Sequence, residues 1–357
     1  MYIKNISLKN YRNYENQEIS LNKKINIIYG NNAQGKTNII ESIILCSLGK
    51  SFRSKKDKDL IRFNENFSEV SIDYAKSDRD GNITVDINDK KTFFVNGVKQ
   101  KKTSDILGKI NIVTFTPDDI DIIKGGPEER RKFLDMMISS LKPNYVHNLL
   151  NYKNVLDQRN NYLRKIKYEK ADESLLEVYD EQLSDYAEKV YEYRKYFIDK
   201  IDNKIENIHN LIIDKEKEKI KIKYNSQFIN KEDYYKKLVL NRKIDAEKGF
   251  TSIGIHRDDF VIYINNKSVG VYGSQGQKRT SVLTLKLCEL EIVKEEIEDT
   301  PVLLLDDFMS ELDDKRRERF LENIEGNQVI LTGTNKIDIK NDSSIFYIEN
   351  GIIKVEK

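Results

Sequence analysis

The hydrophobic pattern changes period along the chain. Up to about residue 116, apolar positions alternate or come in short runs, as they do in strands. Tyr2-Ile3-Lys4-Asn5-Ile6-Ser7-Leu8 alternates, and Ile25-Asn26-Ile27-Ile28-Tyr29 is a short apolar run. Two strands are predicted there, separated by a polar connection that holds Arg12, Asn13 and Tyr14. Thr37 to Leu48 reads as a helix with Ile39, Ile40, Ile43, Ile44 and Leu48 on one face, and Gly49 stands where a helix stops. Residues 69–115 are strand-like, with hairpin signals at Asp80-Gly81-Asn82 and Asn96-Gly97 and a last apolar strand from Ile110 to Phe115. The first third therefore reads as an α/β unit with an antiparallel β layer.

Past Gly125-Gly126-Pro127 the period becomes helical. From Glu128 to about Asp214 there is one proline, Pro143, and no glycine. Leu149, Tyr152, Leu156 and Leu163 share one face of a first helix. Leu176, Leu183, Val190 and Phe197 recur every seven residues on a second, with Tyr179, Tyr186 and Tyr193 in parallel. Joined near Tyr168–Ser174, these helices predict an antiparallel hairpin or a small helical lobe. A helix of about 40 residues spans only about 60 Å, so the arm is short.

Strand character returns at Lys219–Tyr224 and Phe250–Ile264, with a helix at Lys231–Lys248 between them. Gly276–Asp299 is a long helix with Leu283, Leu287 and Leu290 inward, and Val302–Leu305 is a fully apolar strand. A helix from about Ser310 to Ile324, a strand at Gln328–Leu331 and a hairpin turning at Asn350-Gly351 close the chain. The predicted division is 1–116 and 249–357 for the two parts of the α/β domain, and 117–248 for the inserted, mainly helical lobe.

The chain has 357 residues, 38% of them hydrophobic, which is ample for a packed core. Lys+Arg (61) and Asp+Glu (59) nearly cancel, so any nucleic-acid surface must be local. No apolar run approaches the roughly 20 residues of a membrane span, and no signal peptide opens the chain. Cys46 and Cys288 read as reduced core thiols, so a cytoplasmic protein is expected. His147, His209 and His256 lie far apart and do not suggest a metal site.

Candidate chemistry starts at Gly30-Asn31-Asn32-Ala33-Gln34-Gly35-Lys36-Thr37, which fits the phosphate-loop pattern between a strand and a helix. Backbone N–H groups and the positive end of the helix dipole converge there on an anion. Lys36 would reach the β- and γ-phosphates and the Thr37 hydroxyl would bind Mg²⁺. Val302-Leu303-Leu304-Leu305-Asp306-Asp307 is an apolar strand ending in acids. Asp306 suits the metal, and Asp307 can orient the attacking water. Ser274-Gln275-Gly276-Gln277 opens the long helix and forms a second anion-binding turn. One nucleotide does not need two such cradles in a monomer. A head-to-head dimer resolves this, with Ser274, Gly276 and Gln277 of one subunit meeting the phosphate loop of the other. Ser310-Glu311-Leu312-Asp313 fits an N-capping element, with Ser310 starting the helix and Asp313 three residues on, and also matches a dimer-contact loop.

Taken in order, GNNAQGKT, the helical insertion, YGSQGQKRT and LLLDDFMSELD resemble the ABC-type ATPase head of the SMC superfamily. Within it the chain resembles the RecF family, through LKNYRNY, KSFRS, PDDIDIIKGGPEERRKFLD, QRNNYL and GIHRDDF, spread over residues 7 to 334. The resemblance implies an ABC-type P-loop ATPase head carrying a short coiled-coil-like lobe. It implies ATP and Mg²⁺ as ligands, an ATP-dependent homodimer, and DNA binding at single-strand gaps or junctions. It further implies RecR, RecO and RecA as partners in DNA repair, and slow hydrolysis as a reset. Asp307 stands where many ABC heads have glutamate, and Val329-Ile330-Leu331-Thr332-Gly333-Thr334 lacks their histidine. The RecF family shares both departures, and Thr334 is the candidate γ-phosphate sensor. The metal-contacting glutamine of ABC heads has no assigned place.

Candidate DNA contacts are Lys50, Arg53, Lys55, Lys56, Lys58 and Arg62, with Lys99, Lys101 and Lys102. Arg130 and Arg131 serve either the lobe or the nucleotide, and the role of His256-Arg257-Asp258 does not follow from the sequence. A transporter ABC subunit and an architectural SMC-like tether are the alternatives. The missing histidine and the inserted arm oppose the first, and an insertion of about ninety residues is too short for the second.

Overall fold

The computed structural model describes residues 1–54, 56–77, 79–213, 218–336 and 343–356. The chain forms two compact units. One holds Met1–Asp119 and Lys286–Lys357 with a short segment starting at Leu211, and the other holds Ile120–Asn210 and Lys215–Leu285.

In chain order the first unit opens with strands β1 (Tyr2–Tyr11), β2 (Tyr14–Ser20) and β3 (Ile25–Tyr29), then helix α1 (Lys36–Leu48). Strands β4 (Ser68–Lys76), β5 (Arg79–Ile87), β6 (Lys91–Val95), β7 (Val98–Lys99) and β8 (Ile112–Phe115) follow. The second unit contains α2 (Asp121–Lys124), α3 (Pro127–Leu141), α4 (Pro143–Glu169), α5 (Ser174–Ile212) up to Asn210, β9 (Ile220–Asn225) and α6 (Lys231–Lys248). It continues through β10 (Asp259–Ile264), β11 (Lys267–Ser268), α7 (Val269–Tyr272) and the first half of α8 (Gln275–Ile297). The chain then returns to the first unit with β12 (Val302–Leu305), α9 (Asp314–Asn323), β13 (Val329–Gly333), β14 (Ser343–Glu349) and β15 (Ile352–Glu356).

The first unit has two sheets. One is antiparallel, in the order β2-β1-β4-β5-β6-β7. The other runs β15-β14-β3-β13-β12-β8, parallel except for the closing β14–β15 hairpin. A single core joins Ile6, Leu8, Val70 and Ile83 of the first sheet, Ile28, Leu304 and Ile330 of the second, and Ile39, Ile40 and Ile43 of α1. Every α1 residue from Ile39 to Ser47 is buried. The single apolar face expected from sequence is therefore exceeded, because layers pack against α1 on more than one side.

Three local expectations change. Residues 1–29 contain a third strand, β2, which the polar sequence Tyr14-Glu-Asn-Gln-Glu-Ile-Ser concealed; as an edge strand it buries few of its residues. Asp80-Gly81-Asn82 is not a turn. Gly81 lies inside β5 opposite Tyr74, and a Cβ there would come 2.4 Å from the Tyr74 ring, so glycine makes room for an aromatic. The hairpin closes earlier, at the Lys76–Arg79 pair, whereas Asn96-Gly97 does turn between β6 and β7. The helix expected from Ser310 starts as a 3₁₀ turn (Phe308–Glu311), and α9 is capped by Asp313, which accepts from Arg316 N at 2.9 Å.

In the second unit α4 and α5 form the predicted pair. Leu176, Leu183, Val190 and Phe197 are all completely buried. The same interior holds Arg159, donating to Asp180 (2.7 Å), Asp245 (2.8 Å) and Thr251 (2.9 Å). Arg242 also donates to Asp180, at 2.7 Å. The lobe unit runs past residue 248 to Leu285, because the first turns of α8 bond within it: Thr284 lies 2.9 Å from His209 and Gln277 donates to Glu218 at 2.9 Å.

Removing one member of a buried charge network leaves the others uncompensated. Arg159→Ala should therefore lower unfolding free energy by about 3–5 kcal/mol. Urea denaturation measures it, and a loss under about 1 kcal/mol would contradict a structural role for this cluster.

Candidate nucleotide site

Parallel strands β3, β12 and β13 end side by side, and the residues that follow each strand meet there. After β3 the chain needs conformations that only small residues adopt easily. Gly30 has φ +154° and Gly35 φ +112°. A Cβ at Gly30 would lie 2.4 Å from the Ile348 carbonyl oxygen, and one at Gly35 2.6 Å from the Asn13 amide. Ala33 is also left-handed, at φ 63°. The loop delivers the chain into α1, a helix of 13 residues whose first turn receives no side-chain cap. Its N–H groups and dipole are therefore available to an anion.

Asn31, Asn32 and Ala33 are exposed, and Gln34 is half-buried. Gln34 accepts from Asn350 N through its side chain (2.5 Å) and from Asn13 Nδ2 through its carbonyl (2.8 Å). Tyr14 OH donates to the Gly35 carbonyl at 2.9 Å. Lys36 is buried, and its Nζ donates to the carbonyls of Gly30 (2.8 Å) and Asn31 (2.9 Å). The ammonium is thus held at the loop's concave side.

Asp306 is the convergence point. Its Oδ1 accepts from Thr37 Oγ1 at 3.0 Å and from Thr332 Oγ1 at 2.7 Å. Its backbone N donates to Phe115 of β8 at 2.9 Å. Burial raises the Asp306 pKa above the ordinary carboxylate range, against the lowering effect of both hydroxyls. One buried carboxylate beside a threonine hydroxyl is a small oxygen set. It suits Mg²⁺, which takes one or two protein oxygens and completes its shell with phosphate and water. Asp307 is half-buried and left-handed at φ 48°, and its N–H donates to Thr332 Oγ1 at 3.0 Å.

Thr332 was missed from the sequence. Its signal was the polar residue in the apolar run Val329-Ile330-Leu331-Thr332, but nothing local tells that this strand lies beside Asp306. Thr334, the residue chosen from that stretch, is exposed beyond the strand. On the other side of β12, the position beside Asp306 falls to Phe115-Thr116. Thr116 N donates to Asp119 at 2.7 Å, and the turn Thr116–Asp119 holds no glutamine.

Two stretches that carried the family resemblance are built into this rim. Glu41 of α1 is fully buried and takes a bidentate pair from Arg12 (2.7 and 2.8 Å) and a bond from Ser51 Oγ. Asn38 donates to Asn13 (2.8 Å), and Arg53 donates to Asn38 (3.1 Å). Beside them lies a groove of 960 Å³ lined by Arg12, Asn13, Asn38, Arg53, Arg62 and the exposed Phe63, among others. The Lys50–Arg62 segment is therefore less of a free basic face than its composition suggests. Arg62 pairs with Glu15 (3.0 Å), and Lys58 lies 4.0 Å from Asp89. Lys56, Lys99, Lys101 and Lys102 are exposed, and Lys55 lies outside the described residues.

The Ser274–Gln277 turn belongs to the other unit. Ser274 Oγ accepts from Gln277 N (3.2 Å), and Gln277 Oε1 accepts from Ser274 N (3.0 Å), a reciprocal capping box. Ser274 is exposed, and Gly276 and Gln277 are half-buried. The lobe also absorbs the motifs left open. Arg130 donates to Asp259 and Arg131 to the Asp258 carbonyl (2.8 Å). Asp258 accepts from Ser226 (2.7 Å), and His256 lies 2.7 Å from Tyr152 OH, where burial pushes its pKa down to about 4.

The chain matches the family described as RecF/RecN/SMC N terminal domain over residues 2–350. It is 46% identical to the DNA replication and repair protein RecF of Clostridium acetobutylicum, covering 99% of each chain. The chain belongs to the RecF family. Its counterpart in Clostridium tetani is 42% identical, over 98% of this chain and 99% of that one. Among solved structures, one of "the recombination mediator protein RecF-ATP in RecFOR pathway" superposes with TM-score 0.93 at 39% identity, covering 100% of this chain and 98% of that one. An Smc head domain from Pyrococcus furiosus matches at TM-score 0.57 and 19% identity, covering 99% and 96%, and so shares the fold. The expected ABC-type head with an antiparallel layer and a helical lobe is the RecF-family fold observed here. Among the described residues, no helix is long and apolar enough to cross a membrane.

Gly30→Ala should be costly, because the Cβ meets backbone and the φ is unfavourable to it. A loss of about 2 kcal/mol or more in urea unfolding is expected, and a loss within about 0.5 kcal/mol would show that the loop relaxes freely.

Proposed function

We propose that this chain is an ATP-dependent recombination mediator that dimerises on ATP and binds gapped DNA or its single-strand/duplex junctions. The observation that carries the reading is the meeting of Thr37 and Thr332 with Asp306 at the mouth of an uncapped helix N-terminus. ATP places its phosphates in Gly30–Thr37, and Lys36 turns from the loop carbonyls to the β- and γ-phosphates. Thr37 and Asp306 would hold Mg²⁺, which would supply charge neutralisation on the phosphates. The groove beside Asn13, Asn38 and Arg53 takes ribose and base; its 960 Å³ is adequate for a nucleoside. Asp307 orients the attacking water from a left-handed backbone conformation that Asp adopts more readily than most side chains.

The second half of the site comes from another copy of the chain. Ser274, Gly276 and Gln277 contact the γ-phosphate held by the partner's loop. The dimer so formed clamps DNA phosphates, with exposed Lys56, Lys99, Lys101 and Lys102 as contacts, and assists RecR and RecO in loading RecA. Hydrolysis is slow and releases the dimer. The named relatives support the repair role.

Light scattering with Mg²⁺ and ATP tests the switch. Lys36→Ala should abolish the ATP-dependent dimer by removing the phosphate contact. Ser274→Arg should block the dimer while a single chain still takes up ATP. Unchanged dimerisation of Lys36→Ala sinks the switch, and lost monomer binding in Ser274→Arg sinks the trans assignment.

DNA recognition is separable from that. Salt titrations on gapped and intact duplex should show preference for the gap only with ATP, with affinity falling linearly on a log–log plot against salt. Equal affinity for both DNAs, with or without ATP, would remove the gap-recognition role.

A further inference from the structure

The Ser274–Gln277 turn is held from behind by two side chains that no motif includes. Gln277 Nε2 donates to Glu218 Oε1 at 2.9 Å, while its Oε1 accepts from Ser274 N at 3.0 Å. Both polar atoms of the glutamine side chain are thereby fixed, and the rotamer freedom of a half-exposed glutamine is removed. Glu218 is in turn braced. Its Oε2 lies 3.3 Å from Nε2 of His209, which is fully buried. The opposite ring nitrogen, Nδ1, lies 2.9 Å from the Thr284 hydroxyl.

Thr284 is on the same helix as the turn. Thr280 Oγ1 donates to the Gly276 carbonyl (2.9 Å). The Thr284 hydroxyl, 2.8 Å from the Thr280 carbonyl, has one proton; giving it to His209 Nδ1 leaves Nε2–H of the neutral ring to donate to Glu218. Gly276, Thr280 and Thr284 are spaced four apart and so lie along one side of α8. The chain Ser274–Gln277–Glu218–His209–Thr284 therefore closes on the helix from which it started. A closed network of this kind fixes geometry more strongly than any one of its bonds. It is also a costly arrangement to keep for structure alone, since it buries an imidazole and draws a carboxylate to 24% side-chain exposure.

We infer that Glu218, braced by His209, is a positioning residue that holds the Gln277 side chain in the geometry that receives the partner subunit's nucleotide. The inference rests on the trans reading of Ser274–Gln277 given above. Glu218 touches neither nucleotide nor reacting atoms. It lowers the ordering needed when the two chains meet, because the turn is arranged before the partner arrives.

The experiment uses the full chain with Mg²⁺ and ATP, and measures fluorescent-ATP binding to the monomer and dimerisation by light scattering. Glu218→Ala should leave monomer binding within about twofold and weaken the ATP dimer about tenfold, the loss of one charge-assisted hydrogen bond. Glu218→Gln keeps an oxygen acceptor for Gln277 and should bring the dimer back to within about threefold of the parent. Thermal melts confirm that each variant is folded. Parent-like dimerisation of Glu218→Ala overturns the inference, and so does an equal loss in both variants, because the amide then fails to replace the acceptor. Ser274→Arg is run alongside. If it dimerises like the parent, the trans reading itself fails and the inference falls with it. If it blocks the dimer while Glu218→Ala does not, only the inference is lost.

Discussion

A helix N-terminus with no side chain to cap it governs the first unit. Of the opening N–H groups of α1, that of Asn38 donates to the Gly35 carbonyl (2.8 Å), and Gly35 offers no side chain to satisfy the others. Around that fixed point the sequence accepts unfavourable terms. Gly30 and Gly35 sit at positive φ against neighbouring backbone and side chains, Lys36 is buried, and Asp306 is a carboxylate in a desolvated place. Each alone destabilises the fold. In the proposed site they meet a ligand of opposite demands, an anion for the loop and a cation for the carboxylate. The nearby ion pair of Arg12 with buried Glu41 is satisfied within the chain and so acts as anchorage for the rim.

Much of this was legible in the sequence, for physical reasons that differ by element. The phosphate loop and Val302–Asp307 could be read because their chemistry is local: glycines at fixed offsets, and an apolar strand ending in acids. The heptad pattern of α5 could be read because burial there follows one period. What could not be read depends on partners distant in sequence. Thr332 matters only because β13 pairs with β12, and Glu41 because α1 carries it beneath Arg12 and Ser51. Arg159 sits in an interior that periodicity describes as apolar, and its partners Asp180 and Asp245 lie 21 and 86 residues away. Gly81 misled for the opposite reason. Its local signal was a turn, but the space it provides is for a ring on the neighbouring strand.

The boundary of the lobe shows the same limit. Composition changes after residue 248, where strand character returns, yet the compact unit continues to Leu285. Strand β10 pairs with β9 and buries Phe260 against Phe133, and Gln277 and Thr284 of α8 add polar bonds to Glu218 and His209. Helix α8 thus starts among lobe residues and ends beside β8, where Lys286 stands over Phe115 at 5.7 Å and pairs with Glu289.

The two helix N-termini then differ in a way that fits a site assembled from two chains. That of α1 lacks a side-chain cap, whereas that of α8 is capped by Ser274 and restrained through Gln277 and Glu218. A phosphate gains most from the first, where N–H groups have no competing side chain. The second gives up less on binding, since its own cap already satisfies part of the turn. In the proposed dimer this ordering has a kinetic consequence. The nucleotide is taken first by the loop with the larger gain, and the turn of the second chain then adds a smaller, geometry-dependent term. Affinity between chains is therefore set less by the strength of the second cradle than by how little it must rearrange, so residues behind that turn weigh on assembly as much as those within it.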